Sequence, residues 1–156
     1  MKPEEFTLNL KRVRPDIERW TRLTAPRVAG KIAADHFTEN FQKQGFVNGG
    51  LRRWKMARRK EVEPKTRRQR TLAGRPVLTG DTADLGRGVG YEVGRARATV
   101  FNDVSYARVH NRGVKNAGRD HNVVIPKRQF MGDSEELDKK IKKEIAKKLK
   151  RLSEKR

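Results

Sequence analysis

Residues 89–100, VGYEVGRARATV, alternate apolar and polar positions on both sides of a turn: Val89, Tyr91 and Val93 before it, Ala98 and Val100 after it. A period of two predicts half-buried strands, and with Gly94-Arg95-Ala96-Arg97 between them the two runs read as an antiparallel hairpin. Farther out in both directions the period becomes helical. Toward the C-terminus, Leu137, Ile141, Ile145, Leu149 and Leu152 recur at steps of four, four, four and three. Asp133, with Glu136 three residues on, predicts an acidic capping box. Acids fill the first turn and cations the last, so an amphipathic helix is placed over 133–153 with its lysines on a solvated face. Toward the N-terminus, 10–23 reads as a helical stretch carrying Ile17, Trp20 and Leu23, and a second run continues from Pro26 through Val28, Ile32, His36-Phe37 and Phe41 to a stop at Gly45. Proline lacks an N–H and restricts its predecessor, so Thr24-Ala25-Pro26 leaves open either a long kinked helix or two separate helices. Helices at both ends with a small antiparallel sheet between them define an α+β class.

The rest of the strand region is less regular. Val77-Leu78 reads as strand, Thr82–Leu85 as a helical turn, Ser105–His110 as a short helix ended by Asn111-Arg112-Gly113, and Val123–Ile125 as a short strand before Pro126. No internal repeat is present, and the whole of 1–156 is read as one domain.

The chain carries 39 Lys and Arg against 19 Asp and Glu, a formal net charge of +20, and its hydrophobic fraction is 34%. That fraction is low, but a single domain of this length still buries roughly two-thirds of its unfolded surface. The absence of cysteine excludes disulfides, thiolate zinc sites and Cys nucleophiles. No apolar run approaches the roughly 18–20 residues of a membrane span, and MKPEEFTLNLKR lacks the apolar segment of a secretory signal. The expectation is a soluble cationic protein of a cytoplasm-like compartment with no membrane partner.

The charge is concentrated. Residues 1–44 and 77–133 each carry +3 and residues 134–156 carry +5, whereas 45–76 carry +9. This segment, GFVNGGLRRWKMARRKEVEPKTRRQRTLAGRP, has no sustained period and is punctuated by Asn48-Gly49-Gly50 and Glu63-Pro64, which predicts a long basic extended loop, functional or disordered. Arg52, Arg53, Lys55, Arg58, Arg59 and Lys60 surround Trp54 and Met56, and Lys65, Arg67, Arg68 and Arg70 follow Pro64. Arginine forks suit phosphate, and Trp54 is suited either to stacking on a base or to anchoring in a protein pocket. The ten cations together with Trp54 are the candidate contact set for a polyanion or partner; the plain alternative is a solvated loop whose charge serves solubility. Base-specific recognition lacks a helix-turn-helix or RNP pattern.

No other constellation carries chemistry. His36, His110 and His121 have no metal-ligand spacing, and His36 reads as a core or boundary histidine. Ser105 and His110 with Asp103 are crowded into a few residues without nucleophile-elbow glycines. Asp81 and Asp84 suit turn capping, and Gly86-Arg87-Gly88-Val89-Gly90 precedes a strand, where a dinucleotide motif follows one. No catalytic, metal or cofactor site is expected, and the reading is a protein that is not an enzyme. From charge alone, it would be a free-standing basic nucleic-acid-binding protein, ribosomal or chromatin-like.

Taken in order, five landmarks resemble the phage virion-morphogenesis family, which includes tail-completion proteins of contractile and other tailed phages. They are Asn40-Phe41-Gln42-Lys43-Gln44-Gly45-Phe46 and Trp54-Lys55, then Arg75-Pro76-Val77-Leu78-Thr79-Gly80-Asp81-Thr82-Ala83-Asp84-Leu85. Ser105-Tyr106-Ala107-Arg108-Val109-His110-Asn111-Arg112-Gly113 and Ile125-Pro126-Lys127-Arg128-Gln129-Phe130-Met131-Gly132 complete the set. Asn111 stands where glutamine is common in the family, Met131 where leucine is common, and the basic segment is unusually rich in arginine. The resemblance implies a non-enzymatic α+β subunit similar to tail-terminator and head–tail connector proteins. Such a subunit forms a homo-oligomeric ring, commonly sixfold, at the neck or tail end of the virion after assembly in the host cytoplasm. Its implied neighbours are connector and tail-tube or terminator proteins, with the 45–76 segment reaching either an adjacent ring or DNA phosphate in the channel.

Overall fold

The computed structural model describes residues 14–154. Pro26 shapes the entry to the fold. Residues 14–23 are helical (α1), and Ala25–Lys43 form the long helix α2. Pro26 has no N–H to give to the Arg22 carbonyl four residues back; the Ala96 N–H, at the tip of the central hairpin, donates to that carbonyl instead at 3.2 Å. The backbone stays right-handed through Thr24, whose N–H donates to the Trp20 carbonyl at 2.8 Å and whose carbonyl accepts from Val28 at 3.1 Å. An interrupted helix is therefore formed, not two separate ones; residues 10–13 of the expected helix lie outside the described residues. α2 ends at Lys43, and its left-handed stop falls one residue before the expected Gly45. Gln44 takes the left-handed conformation (φ 54°), and its amide bridges back to the Phe41 carbonyl and across to both backbone groups of Val77.

Gly45 instead begins a strand. β1 (Gly45–Val47) pairs antiparallel with β2 (Leu51–Arg53), and a Cβ at Gly45 would lie 2.6 Å from the Arg52 carbonyl. The segment 45–76 is thus not one extended loop. After this hairpin come a 3₁₀ turn, Arg58–Lys60, and a helix, α3 (Arg67–Gly74). Thr66 caps α3 by accepting from the Gln69 N–H, while the Gln69 side chain accepts from the Thr66 N–H. That is a capping box at S/T-x-x-Q spacing. Val77-Leu78, expected as strand, is turn, with Leu78 at φ 63°.

The central hairpin forms as its alternation predicts. β3 (Val89–Gly94) pairs with β4 (Arg97–Asn102), Tyr91 opposite Val100 and Val93 opposite Ala98. α4 (Asp84–Arg87) precedes it and α5 (Ala107–Arg112) follows. β5 (Val114–Ala117), which carries no usable alternation in the sequence, pairs with the expected strand β6 (Val123–Ile125). α6 (Glu135–Ser153) closes the fold. Its cap is Ser134, one residue beyond the expected Asp133: the Ser134 hydroxyl accepts from the Leu137 N–H and donates to the Val47 carbonyl. Glu136 turns outward from the expected box and accepts from the Gly49 N–H at 2.9 Å. Among the described residues the architecture is α+β, six helices around three separate two-stranded antiparallel sheets.

Two adjoining apolar clusters hold these elements. Phe41, Trp54, Val77, Leu85, Ala107 and Phe130 form one; Ala33, Phe37, Phe46 and Leu137 form the other, and Val89 and Met131 touch both. α2 lies against the central hairpin at Gly30, where a Cβ would meet the Tyr91 ring at 2.5 Å and the Ala98 methyl at 3.1 Å. Glycine inside a helix costs about 1 kcal/mol relative to alanine, so its use here reflects the close approach. Gly30→Ala should therefore destabilise the protein by about 1–3 kcal/mol, the usual cost of overpacking, despite alanine's better helix propensity. Denaturant unfolding measures this, and a more stable variant would show that the hairpin does not press on α2 at that point.

Candidate functional site

The basic segment divides into two groups once folded. Trp54 is only 9% exposed, lies edge-on to Phe41 at 5.4 Å and donates its indole N–H to the Gln129 carbonyl at 2.6 Å. It is a core residue, so its indole is not presented to a base or to an outside pocket. Arg59 is also committed inward: Nε donates to the Leu72 carbonyl and Nη2 to the Pro76 carbonyl, tying the 3₁₀ turn to the end of α3. The remaining cations face solvent. Arg52 and Arg53 are exposed on β2, Lys55 and Arg58 are exposed around the turn, and Lys60 is half-buried. Lys65 precedes α3, and Arg67, Arg68 and Arg70 project from it with none buried. Arg68 reaches Asp81 at 3.3 Å, an exposed pair that contributes little to stability. The folded chain thus presents a cationic surface from β2 through the turn to α3, without the aromatic stacking platform that its sequence suggested.

The family landmarks take a different place. They converge on residues 128–131, which lie outside all of the described strands. The Arg128 N–H donates to the His110 carbonyl. The Gln129 carbonyl accepts from Trp54, and the Phe130 carbonyl from the Asn40 amide at 3.0 Å. The Phe130 and Met131 N–H groups both donate to the Asn111 carbonyl oxygen, and the Asn111 amide donates back to the Met131 carbonyl. An amide side chain at 111 satisfies three backbone groups at once. Asn40 is fully buried, and its carbonyl oxygen also accepts from the Val47 N–H. Gly113 takes φ 75°, and a Cβ there would strike the Lys127 backbone at 2.7 Å.

Arg128, which spacing alone did not mark as a site residue, is the buried cation of this region at 7% exposure. Its Nε donates to the Lys55 carbonyl at 2.9 Å and its Nη2 to the Met56 carbonyl at 2.8 Å. Burial, and then the neighbouring Arg59, push its pKa down. Beside it His110 has a buried Nδ1 without a hydrogen-bond partner, and burial followed by the Arg128 charge pushes its imidazole pKa down as well. His110 and Arg128 line a recess of about 620 Å³ with Arg58, Arg59, Val123 and Val124. The reason for missing these two is physical: a lone histidine and a lone arginine gain meaning only from neighbours distant in sequence.

His36 lies apart from this recess. It is 1% exposed, and its Nε2 faces the Ser134 hydroxyl at 3.2 Å. The hydroxyl proton is given to Val47, so the Nε2–H donates to Ser134 and Nδ1 is the bare, unpartnered acceptor. Burial first, then Lys140, lowers the His36 pKa. Among the described residues, no hydrogen bond links Ser105, His110 and Asp103, and no three of His, Cys, Asp and Glu gather as metal ligands. No described helix is long and apolar enough to cross a membrane.

Two outcomes follow from this geometry. Trp54→Phe keeps most of the packing but orphans the Gln129 carbonyl, so it should cost about 1–3 kcal/mol in denaturant unfolding while leaving the salt dependence of any DNA binding unchanged. A changed salt dependence with unchanged stability would instead place the indole at a ligand. The second concerns pH. His36 and His110 have lowered folded pKa values, so the unfolded chain takes up protons from about pH 6.5 downward before the folded chain does. Their contribution to stability is complete above that value and is lost as the pH falls through the lowered folded values. Unfolding of the wild type between pH 7.5 and 5 should show this slope, and His36→Asn should reduce it; an unreduced slope would assign the loss to other groups.

A family model described as the phage virion morphogenesis family matches residues 6–150 of the 156. No curated protein and no solved structure matches the chain.

Proposed function

The chain belongs to the phage virion morphogenesis family, and on that premise we propose that it is a structural assembly protein that closes into a ring at the neck or tail end, completes the tail and helps join head to tail. The family match along nearly the whole chain carries this reading. The surface supports it. Each of the three described sheets has two strands, so each keeps unpaired outer edges. Isolated two-stranded sheets are marginal on their own and open edges invite further pairing, which suits a subunit that meets its neighbours edge to face. A ring closes through a heterologous contact, one surface of the subunit against a different surface of the next. Its neighbours along the particle axis are connector and tail-tube or terminator proteins, and its place is the virion. The role is non-enzymatic and uses no cofactor.

We assign to the exposed cations Arg52, Arg53, Lys55, Arg58, Lys65, Arg67, Arg68 and Arg70, with the half-buried Lys60, the contact with DNA phosphate in the channel. Arg59 and Trp54 hold the surface in place. The alternative, a free-standing basic nucleic-acid-binding protein, rests on the +20 charge alone and predicts a monomer.

Light scattering after size exclusion separates the two: a defined oligomer, a hexamer in the expected case, supports the ring, and a strict monomer even with neck and tail proteins added rejects it. DNA affinity measured against salt tests the cations. Arg52, Arg53, Arg67 and Arg70 changed together to Ala should flatten the log–log slope by roughly 0.9 for each lost phosphate contact. An unchanged slope removes these residues from the contact.

A further inference from the structure

Buried charges in proteins are normally paired, because a lone ion loses hydration without recovering it. Arg128 departs from that rule. Among the described residues no carboxylate forms an ion pair with Arg128, Arg59 or Arg58. Arg128 has only carbonyl acceptors, at Lys55 and Met56. Three guanidinium groups therefore line one recess of about 620 Å³ whose own lining carries no carboxylate, beside a His110 nitrogen that also has no partner; Glu61 acts on Arg128 only as the weakest of its influences, and Asp81 and Asp84 line the adjoining recess. Within this recess the fold supplies the cationic half of an ion-pair site and no carboxylate to complete it.

The rim indicates what supplies it. Val123 is 47% and Val124 67% exposed, and both line the recess with the arginines. An apolar wall beside a buried Arg128 and the more open Arg58 and Arg59 matches a carboxylate carried next to an apolar side chain. It is a poor match for duplex DNA, whose phosphates sit on a convex, fully hydrated backbone that would cover the valines without drying them. A carboxylate on a flexible side chain reaches a recessed guanidinium in the bidentate geometry that arginine favours. The net charge of +20 argues in the same direction, since a second copy brings more cations and an acidic protein brings the missing anions.

We propose that the recess between the Arg58–Lys60 turn, the end of α5 and β6 receives an acidic segment of a neighbouring protein, a carboxylate meeting Arg58, Arg59 and Arg128 and an adjacent apolar side chain resting on Val123 and Val124. This deepens the assembly reading above and rests on it: the recess is where the subunit holds an acidic partner, and of the cations assigned to DNA only Arg58 borders it. The charge pairing gives the contact its specificity, and the apolar wall excludes water from it.

The test uses the full chain and a synthetic hexapeptide of alternating leucine and glutamate as probe, followed by titration calorimetry and by the His110 ring signals in NMR. Binding of the peptide should shift the His110 signals. Replacing its glutamates by glutamine, or combining Arg58→Glu with Val124→Glu in the protein, should weaken binding by about tenfold or more. Both protein positions are exposed and neither side chain holds the fold together. Absent peptide binding, or equal binding by the glutamine peptide or the double variant, overturns the proposal. So does a DNA duplex that shifts the His110 signals and displaces the peptide, which would give the recess to phosphate. The oligomeric state is a separate readout: a monomer that still takes the peptide removes the ring alone, and a ring that ignores the peptide removes the recess alone.

Discussion

Residues 128–131 join no strand and take most of their backbone hydrogen bonds from side chains, a constraint they impose on the rest of the molecule. Unpaired backbone groups in an apolar interior each cost about 1–3 kcal/mol. Here Asn40 from α2, Trp54 from the end of β2 and Asn111 from α5 supply the partners, while Phe130, 1% exposed, packs against Phe41 at 5.1 Å. Elements far apart in the chain meet at this one stretch. Four of the five family landmarks contribute a side chain or backbone group to it, and the fifth is tied in through Gln44 and Val77. These short motifs therefore describe a folding requirement, and none of them is a catalytic signature.

The same constraint sorts the basic segment. The backbone near Trp54 must lie against 128–131, so the tryptophan turns inward and the cations on either side of it turn outward. Arg59 and Arg128 then use their guanidinium groups on main-chain carbonyls, which leaves their charge without a carboxylate. A strongly cationic chain with a modest core gains little from exposed ion pairs such as Lys31–Asp35 or Arg68–Asp81. Its excess of like charge is self-repelling, which suits the assembly proposed above, where a partner would bring negative charge.

Periodicity carried well wherever one face of an element is buried along its length. β4 and α6 were readable for that reason: Ala98, Val100 and Asn102 are half-buried at every second position, and Leu137, Ile141, Ile145, Leu149 and Leu152 are covered at helical spacing, whereas β3 is covered only over Val89–Tyr91 and leaves Val93 exposed. The interruption at Pro26 was readable as an alternative, since a missing N–H is a local fact. Reading failed where local pattern and tertiary need part. The 45–76 segment lacks a period because its first hairpin buries a single pair of positions and α3 buries none, yet glycine spacing and the Thr66–Gln69 box were present as signals. β5 has no alternation because only Ala117 along it is partly covered. The one-residue error at the α6 cap arose because Asp133 and Ser134 are equivalent as local caps, and only Val47 and His36 from elsewhere select the serine.

By itself the amino-acid sequence determined the α+β class, the principal helices and hairpin, the concentration of charge and, through ordered landmarks, the family. Each of these is a matter of composition or of spacing along the chain. The tertiary structure alone decided which members of the basic segment are free to meet another molecule. It took Trp54 out of the surface, tied Arg59 to main-chain carbonyls and brought Arg58, Arg59, His110 and Arg128 into one recess. Whether a side chain faces solvent, a carbonyl or another cation depends on neighbours supplied by distant segments, and no spacing rule encodes that.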